Sequence, residues 1–418
     1  MSNPDTRRQT PDAPRILVRG TNWLGDAVMT TPALMRLREK FPSARITLLT
    51  PEKLAELWKN HPAVNETISF APGESIFSVG RKLRRWGERT GEPLHEPKNE
   101  VTTTRADARP TGFDLALVLP NSPRSAIETW LAGIPRRVGY ARPWRNYFLT
   151  QAVAPRPDAG QMRKRSVSEI RQLVAADVNR RMPRENRTFT SAATNVHQIH
   201  EYLHLTAALG ANPEPLPPQL FVSPDEIETS KKKFGLEKTT QPVFGLNPGA
   251  EYGPAKRWPV DRFIAAARQI QQQTNCVWLI FGGKNDVIIT DQIESALLAA
   301  SERSGDGRTP NSALRNLAGQ TTLRDLMAMQ KFCRVLLTND SGPMHVAAAL
   351  GTPVVVPFGS TSPELTGPGL PGDSRHRLLK SDAPCSPCFR RECPIDLRCM
   401  NGITIERVVE AVLSALRG

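Results

Sequence analysis

The sequence lacks long hydrophobic runs, an apolar N-terminal segment and any recognisable nucleic-acid motif. Its longest apolar runs, such as Val277–Phe281 and Val354–Val356, are far shorter than the roughly 20 residues that cross a bilayer. Residues 1–15 are polar, so we expect no signal peptide and a cytoplasmic protein. Neither a zinc finger nor an aromatic RNA-recognition motif is present, which argues against a nucleic-acid partner.

Two common nucleotide-binding patterns are also missing. Neither half of the chain opens with the G-x-G-x-x-G turn of nicotinamide-binding proteins, and no G-x-x-x-x-G-K-[ST] motif of P-loop enzymes occurs.

Basic residues outnumber acidic ones. The chain of 418 residues has 55 Lys and Arg and 41 Asp and Glu, which gives a net charge of +14. This balance admits anionic partners such as phosphorylated substrates or lipid headgroups.

Strands alternate with helices in the first half. Arg15–Arg19 predicts a buried strand, and the loop Gly20–Asp26 leads from it into a helix over Ala27–Lys40. Such alternation predicts parallel βαβ units in a doubly wound sheet. The other predicted elements of this half are strands at Arg45–Thr50, Asp114–Leu119 and Arg137–Tyr140 and helices at Glu52–Lys59, Ser125–Ala132, 170–178 and His197–Leu209.

Three stretches break this alternation and predict the domain organisation. Residues 1–14 predict a disordered leader, and the polar, proline-containing residues 90–111 predict a flexible insertion. Asn212–Pro218 contains four prolines and predicts a stiff linker. We therefore expect one domain over 15–211, a linker over 212–218 and a second domain over 219–418.

The alternation restarts after the linker. A second Rossmann-like half would face the first across a cleft, with ligands bound at the carboxyl ends of the strands. The loops that follow the predicted strands should then lie close together. The predicted strands are Pro242–Leu246, Cys276–Phe281, Arg334–Thr338 and Pro353–Phe358, and the helices are Val260–Gln273, 286–300, His345–Leu350 and Thr404–Leu416.

Asp26 stands where the first predicted strand becomes the first helix. An aspartate in this position commonly caps the helix N-terminus. A carboxylate at the mouth of a cleft between two domains could also act as a general base. The two roles are compatible.

The segment after the strand Arg334–Thr338 predicts a phosphate site. The start of a helix offers unpaired backbone N–H groups and a dipole that favours negative charge. The alternative is that Asp340 and Ser341 only cap the helix. The candidate phosphate-binding residues are Asp340, Ser341, Gly342, Pro343, Met344 and His345.

Lys256 follows the loop Asn247–Ala250 at the end of the first strand of the same half. A cation across from the helix terminus would hold a diphosphate and stabilise the charge of a leaving phosphate. Taken alone, Lys256 and Arg257 could equally be solvated surface charge. Together the two loops predict a nucleotide-diphosphate site.

Four of the six cysteines lie within fifteen residues, with the spacing C-x2-C-x4-C-x5-C. In a chain expected to be cytoplasmic this spacing suggests a metal site before a disulfide framework. Structural thiols or a redox-labile pair are alternatives, and Cys276 and Cys333 are expected to be core thiols. The four clustered residues are Cys385, Cys388, Cys393 and Cys399.

These motifs together resemble glycosyltransferase family nine, the ADP-heptose:lipopolysaccharide heptosyltransferases, over nearly all of residues 15–416. The cysteine segment is typical of the heptosyltransferase II members, although Asp396-Leu397-Arg398 stands where relatives often have histidine, which weakens a metal site. The residues that carry the resemblance are Gly25-Asp26 with Thr30–Pro32, Leu119–Ser122 with Ser125-Ala126, Ala132–Tyr140, Asn247–Ala250 with Lys256–Pro259, Asn339–Gly351 and Cys385–Pro394.

The resemblance implies a GT-B fold, with the acceptor bound mainly by the first domain and an ADP-sugar by the second. It implies inverting transfer of L-glycero-D-manno-heptose from ADP-heptose to the inner-core heptose of heptosyl-Kdo-lipid A. Asp26 would deprotonate the acceptor hydroxyl, and Lys256 with Ser341–His345 would hold the diphosphate without an obligatory metal or cofactor. An anionic glycolipid acceptor would explain the basic charge and implies peripheral contact with the inner membrane.

The residues that we expect to contact the acceptor lie in or beside two of the motif segments of the first half, at the predicted edge of the cleft. The arginine side chains among them suit carboxylate and phosphate groups, although each could simply be a solvated surface charge. Two alternatives stay open: a related transferase with another nucleotide sugar or acceptor, and a non-catalytic nucleotide-sugar-binding protein. The candidate acceptor residues are Asn121, Ser122, Arg124, Arg136 and Arg137.

Overall fold

A computed structural model of the chain describes residues 13–89, 112–178, 188–189, 195–304 and 314–417. The predicted insertion at 90–111 lies outside these described residues, and so does the predicted leader apart from its last two residues.

The described residues form two sheets, one of six strands and one of seven. The first contains β1 Arg15–Arg19, β2 Arg45–Pro51, β3 Glu66–Phe70, β4 Leu115–Val118, β5 Arg136–Tyr140 and β6 Gln151–Val153. The second contains β7 Thr188–Phe189, β8 Val243–Asn247, β9 Val277–Ile280, β10 Leu314–Asn316, β11 Leu336–Thr338, β12 Val354–Phe358 and β13 Arg377–Lys380.

Helices connect these strands, and four short 3-10 helices occur at Glu52–Trp58, Asn146–Phe148, Pro254–Lys256 and Lys284–Asp286. The described α-helices are α1 Leu24–Met29, α2 Thr31–Lys40, α3 Ile76–Arg89, α4 Pro123–Leu131, α5 Val167–Val178, α6 Ile199–Ala207, α7 Pro224–Lys233, α8 Val260–Thr274, α9 Val287–Ser304, α10 Leu323–Phe332, α11 Gly342–Ala349, α12 Pro363–Thr366, α13 Arg398–Asn401 and α14 Ile405–Ala415.

The two sheets have the same strand order. The first runs β3-β2-β1-β4-β5-β6 and the second β10-β9-β8-β11-β12-β13-β7. Among the described residues, all strand pairings are parallel except the antiparallel pair of β13 with β7. In such sheets a ligand binds at the carboxyl ends of the strands, where the order reverses. The reversals lie between β1 and β4 and between β8 and β11, and the predicted doubly wound α/β architecture is confirmed.

The helix predicted over Ala27–Lys40 is in fact two helices. Pro32 has no N–H to donate to the carbonyl of Val28, four residues earlier. The Thr31 hydroxyl donates to that carbonyl instead, at 2.8 Å, and the Thr30 hydroxyl donates to the carbonyl of Ala27 at 2.7 Å. The chain therefore turns between α1 and α2, and α1 is a short helix at the end of β1.

Part of the chain that precedes α6 packs on the second half. The backbone N–H of Arg165 donates to the carbonyl of Cys388 at 3.0 Å, and Ile170 of α5 is buried against Cys385 and Cys388. β7 pairs with β13 of the second sheet. The chain therefore reaches the second half before residue 211, the predicted end of the first domain.

Among the helices that the structure describes, none has the length and apolar content that a bilayer crossing requires.

Candidate active site

A cavity of about 440 Å³ lies between the two sheets, at the carboxyl ends of β1, β8 and β11. Both halves contribute to its wall, as the shared strand order predicts. Its lining residues are Trp23, Leu24, Gly25, Asp26, Met29, Met162, Lys164 and Gln198, together with Glu251, Tyr252, Lys256, Asp340, Ser341, Gly342, His345, Thr361, Thr366, Phe389 and Arg391.

The N-termini of α1 and α11 meet at this cavity, and two glycines allow the contact. A Cβ on Gly25 would lie 2.7 Å from Cδ2 of His345, and a Cβ on Gly342 would lie 2.9 Å from Cβ of Leu24. Real Cβ atoms do not approach other atoms so closely, because packed interiors leave no such overlap. Each helix therefore needs a glycine where it approaches the other.

A buried ion pair supports the loop that carries Asp26. Arg19, at the end of β1, donates to Glu128 of α4 at 2.9 Å, and both side chains are almost fully buried. The same guanidinium donates to the carbonyl of Gly20 at 2.5 Å and to Asn22 at 2.9 Å. Because these contacts link the strand, the loop and α4, the loop is fixed before any ligand binds. Arg19 could not be singled out from the sequence, where it is simply the last residue of a predicted strand.

Asp26 lies in the first turn of α1 and does not cap the helix, since the capping position belongs to Trp23. Its carboxylate accepts a hydrogen bond from Nε2 of Gln198 at 3.0 Å. Burial raises the pKa of Asp26, and the Gln198 hydrogen bond and the charge of Lys256 offset part of that rise. A carboxylate with a neutral donor and a raised pKa is suited to accept a proton.

Gln198 is a site residue that the sequence did not reveal. Its side chain also donates to the hydroxyl of Tyr202 at 2.9 Å, and its backbone N–H donates to the carbonyl of Leu365 at 3.0 Å. The neighbouring His197 contacts the carbonyl of Gly367 at 3.1 Å. The residues that hold Asp26 in the first half are therefore attached to the second half.

Lys256 forms an ion pair with Asp340 across the second half of the cavity, with 2.7 Å between Nζ and Oδ2. The same oxygen accepts a hydrogen bond from the Thr361 hydroxyl at 2.5 Å. Lys256 also lies over the ring of Tyr252, 4.9 Å from its centroid. An ammonium group has three donors, so Asp340 fixes the lysine and leaves donors for a ligand.

The start of α11 lies at the cavity wall, but only part of the predicted segment is exposed there. Gly342 is the first residue of the helix, where an N–H has no partner inside the helix. Pro343 has no N–H, and the N–H of Met344 donates to the carbonyl of Ser341 at 3.1 Å. The Met344 side chain is fully buried in the core of the second half. Pro343 therefore offers no donor and the Met344 side chain faces the core, so phosphate binding by these two residues stays a prediction.

Ser341 and His345 line the cavity beside the start of α11. Ser341 occupies the capping position of α11 without a side-chain cap, and its hydroxyl donates to the carbonyl of Asn339 at 3.2 Å. Burial lowers the pKa of His345 to about 4. Its imidazole is therefore neutral at pH 7 and would meet a phosphate as a hydrogen-bonding group, not as a cation.

Asn339 connects the two motif loops of the second half. Its side-chain amide donates to the carbonyl of Pro248 at 2.7 Å, and its side-chain oxygen accepts from the backbone N–H of Trp258 at 2.9 Å. A buried amide with both ends bonded holds its partners in one geometry. The loops after β8 and β11 are thus joined, and Lys256 lies in the first of them, between the bonded residues Pro248 and Trp258.

The cysteine-rich segment forms one wall of the cavity. The hydroxyl of Tyr252 donates to the carbonyl of Phe389 at 2.8 Å, and the N–H of Ala255 donates to the carbonyl of Arg391 at 2.9 Å. Gly253 has φ 152°, and a Cβ there would lie 2.5 Å from the carbonyl oxygen of Arg391. The segment therefore shapes the turn that carries Lys256, and it adds Arg391 to the site.

The four clustered cysteines do not form a recognisable metal site. In the part of the chain that the structure describes, no group of three or more His, Cys, Asp or Glu side chains is arranged to hold a metal ion. All four are free thiols, and Cys385, Cys388 and Cys399 are buried. Burial raises the pKa of Cys399 to about 12, so this sulfur stays protonated at pH 7. The three buried cysteines pack in the interior, whereas the half-buried Cys393 accepts a hydrogen bond from the N–H of Leu397 at 3.3 Å.

The candidate acceptor residues divide by their position on the first sheet. Asn121 and Ser122 follow the carboxyl end of β4, the edge at which Asp26 lies. Ser122 caps α4 by accepting from the N–H of Ser125, and Asn121 accepts from Arg145 at 3.4 Å. Arg124 donates to Glu128 at 2.8 Å and to the carbonyl of Glu74. Arg124 therefore helps to neutralise the buried Glu128.

Arg136 and Arg137 are not at the cleft, contrary to the sequence prediction. They begin β5, so they lie at the amino end of a parallel strand, opposite the edge that carries Asp26. Arg136 donates to Gln151 at 3.0 Å, and Arg137 donates to the carbonyls of Phe148, at 2.7 Å, and Ile134. These contacts hold neighbouring loops, which explains both arginines without a ligand.

Comparisons with known proteins agree with this geometry. The pattern of glycosyltransferase family 9 (heptosyltransferase) matches residues 105–398. Lipopolysaccharide heptosyltransferase 2 of Escherichia coli (strain K12) is 31% identical over 378 residues, which cover 88% of this chain and 91% of that protein. Lipopolysaccharide heptosyltransferase 2 of Salmonella typhimurium is 31% identical over 85% of each chain.

A solved structure leads to the same family. The structure of E. coli ADP-heptose lps heptosyltransferase II has a TM-score of 0.67 and 27% sequence identity, and the match covers 96% of this chain and 98% of that one. E. coli heptosyltransferase WaaC with ADP shares the fold, with a TM-score of 0.60 at 14% identity. The two facing Rossmann-like sheets are the GT-B arrangement, and the chain belongs to glycosyltransferase family 9, the heptosyltransferases.

Proposed function

We propose that this protein transfers L-glycero-D-manno-heptose from ADP-heptose to the inner-core heptose of heptosyl-Kdo-lipid A, with inversion at the anomeric carbon. The observation that carries the proposal is a single cavity with a buried carboxylate, Asp26, on one side. A cation, Lys256, and a helix N-terminus at Gly342 lie on the other. Family membership and the similarity to heptosyltransferases 2 support heptose as the transferred sugar.

The transfer would be one displacement at the anomeric carbon. The acceptor hydroxyl oxygen forms the new bond to that carbon as the bond to the β-phosphate oxygen breaks, and ADP leaves with the electron pair. Asp26 takes the hydroxyl proton as the bond forms. Its raised pKa makes it a stronger base than an exposed aspartate, and it is still ionised once the pH exceeds that pKa.

The second half would bind the diphosphate. Lys256, held by Asp340 at 2.7 Å, and the N–H of Gly342 would contact the phosphate oxygens, with Lys164 and Arg391 at the cavity wall. Charge on the departing ADP would then be stabilised by protein groups already in place. A structural neighbour, E. coli heptosyltransferase WaaC, binds ADP. We propose that no metal is required, which transfer in the presence of EDTA would test.

The acceptor would enter from the first half. Asn121 and Ser122 lie at the edge of the sheet that carries Asp26 and are our proposed acceptor contacts. Because lipid A is embedded in a membrane, we further propose that the protein acts in the cytoplasm and associates peripherally with the inner membrane. The excess of 14 positive charges supports such an association.

The deciding experiment is direct. Purified protein is incubated with ADP-heptose and heptosyl-Kdo-lipid A, and mass spectrometry detects a gain of one heptose. Asp26→Asn is the matched inactive control, and ADP-glucose or an acceptor without its inner-core heptose tests the choice of donor and acceptor. Transfer from another nucleotide sugar alone would favour a related transferase, and tight ADP-heptose binding without any product would indicate a binding protein.

A further inference from the structure

Three aromatic side chains among the described residues of the first half are at least two-thirds exposed to solvent. Phe77 is 67% exposed, Trp144 79% and Tyr147 81%. Phe77 lies near the start of α3, whereas the other two lie in the loop after β5. Rings as exposed as these contribute nothing to the core, and their presence on a surface indicates an interaction site.

The elements that carry these rings are packed side by side. At Gly80 of α3 a Cβ would lie 2.7 Å from Cβ of Leu131 of α4. On its other side α4 contacts the 3-10 helix Asn146–Phe148, where the rings of Trp130 and Phe148 meet edge to face at 5.5 Å. The surface is therefore continuous from α3 across α4 to the loop.

Arginines lie on the same face of α3 as Phe77. Positions 77, 81, 84 and 85 follow the i, i+4, i+7, i+8 spacing of one helix face, and Arg81, Arg84 and Arg85 are all exposed. Two nearby carboxylates are already paired, because Glu74 binds Lys82 at 2.9 Å and Glu128 binds Arg19 and Arg124. We call this surface the aromatic–arginine patch: Phe77, Arg81, Arg84, Arg85, Trp144 and Tyr147.

One end of the patch lies at the active-site edge of the first sheet. Phe77 comes after the carboxyl end of β3 and Trp144 after the carboxyl end of β5, and in a parallel sheet these ends share the edge that carries Asp26. The rest of the patch extends toward the opposite edge, where Arg15 donates to the carbonyl of Gly87 in α3 and Arg137 donates to the carbonyl of Phe148, next to Tyr147. A bilayer bound to the patch would therefore lie along the outer side of the first half and reach the acceptor side of the cavity at Phe77 and Trp144.

The chemistry of the patch fits an anionic lipid bilayer. Trp and Tyr rings partition to the headgroup level of a membrane, where their apolar bodies are buried and their polar atoms stay hydrated. Arginines beside them attract acidic lipids. We propose that the aromatic–arginine patch binds the surface of an anionic bilayer and thereby holds the active site next to a lipid-linked acceptor. This inference rests on the proposed function for its purpose, but the binding itself can be measured separately.

The test is co-sedimentation of the full chain with phosphatidylcholine vesicles, with and without phosphatidylglycerol. We expect Trp144→Ser/Tyr147→Ser to weaken binding by roughly tenfold for each ring. We expect Arg81→Gln/Arg84→Gln/Arg85→Gln to weaken it on the order of 100-fold. Because all five side chains are exposed, thermal unfolding should stay unchanged in both variants.

Matched controls lie on the second half. Ile288→Ser removes an apolar side chain that is 86% exposed, and Lys232→Gln/Lys238→Gln/Arg417→Gln removes three exposed charges. Both controls should bind vesicles as the unaltered protein does. Equal loss in the patch variants and the controls would show only a general effect of charge or surface hydrophobicity and would overturn the proposal.

Activity assays separate this proposal from the proposed function. The patch variants should transfer heptose normally to a deacylated, water-soluble acceptor and poorly to the same acceptor embedded in phosphatidylglycerol vesicles. If no variant transfers heptose to any acceptor, the proposed function fails while vesicle binding still decides the role of the patch. Unchanged vesicle binding in the patch variants, or a loss of self-association in its place, would overturn the membrane assignment.

Discussion

Two aspartates face one cavity from opposite halves of the molecule, and their partners differ. Asp26 accepts a hydrogen bond from the neutral amide of Gln198. Asp340 is fixed by the ammonium group of Lys256 at 2.7 Å and by the hydroxyl of Thr361. Asp26 lies in the helix that follows β1, and Asp340 lies in the loop that follows β11; each strand adjoins the reversal of strand order in its own sheet. The two carboxylates thus have opposite electrostatic settings.

The difference separates a reactive carboxylate from a supporting one. Burial without a full countercharge raises the pKa of Asp26, so this group can take a proton. Asp340 shares its charge with a lysine that the proposed donor needs, so its task is to position that lysine. Environment assigns two roles to the same residue type, as in other enzymes that use paired carboxylates.

The largest expected effect tests this separation directly. Asp26→Asn should lower kcat by 10²-fold or more, because it removes the proposed base, while ADP-heptose binding changes little. Asp340→Asn should lower kcat/KM by roughly tenfold, since Lys256 keeps its charge but loses its anchor. Steady-state kinetics and ADP-heptose titration on both variants check this. Equal losses in the two variants would abolish the distinction between the carboxylates.

Removal of the cation should have the next largest effect. Lys256→Ala should raise the Kd for ADP-heptose and lower kcat, each by about tenfold or more, because one charge serves both the bound diphosphate and the leaving ADP. Lys284→Ala, an exposed lysine of the same half, is the matched control and should behave as the unaltered protein. If the Lys256→Ala variant binds ADP-heptose normally, Lys164 or Arg391 must contact the phosphates instead.

A smaller change is expected from Gln198, and it appears in the pH dependence. Asp26 must be ionised to act, so activity falls as the pH drops through its pKa. The Gln198 hydrogen bond stabilises the ionised form, and Gln198→Met should therefore raise that pKa further and move the acid limb of kcat to higher pH. Activity on the plateau above the limb should largely recover. A uniform loss at every pH would indicate a structural role for Gln198 instead.

The sequence predicted those helices, strands and loops whose pattern lies in neighbouring residues. The strands β1, β8 and β12 are continuous apolar runs followed by small-residue loops, so their ends and the position of Asp26 were predictable. The strands β3, β6, β7, β10 and β13 are short or rich in polar residues and were missed. The helix predicted over Glu52–Lys59 is a 3-10 helix over Glu52–Trp58.

The residues of the active site were likewise predictable only where neighbouring residues indicated their position. Lys256 and Asp340 were predicted because each follows a strand of the second half. Gln198 was not, because it reaches Asp26 across 172 residues of sequence from the N-cap of α6, a helix whose own pattern shows only an apolar face. Arg19 was missed because only packing reveals that a strand arginine is buried with Glu128. Local patterns predict elements and loop ends, whereas contacts between distant segments require the fold.

The smallest expected effect concerns Arg136 and Arg137, where sequence and structure give opposite predictions. If both arginines lay at the edge of the cleft, as the sequence predicts, Arg136→Gln/Arg137→Gln would raise the KM for the acceptor and flatten the salt dependence of that KM. The structure places both residues at the far end of β5, bonded to Gln151 and to loop carbonyls. We therefore expect donor and acceptor KM to stay within about twofold. The loss of the Arg137 hydrogen bonds should lower the free energy of unfolding by ~1 kcal/mol, measurable by urea denaturation. If the variant has a raised KM for the acceptor and an unchanged free energy of unfolding, these arginines contact the acceptor, which would contradict their assignment to the opposite edge of the sheet.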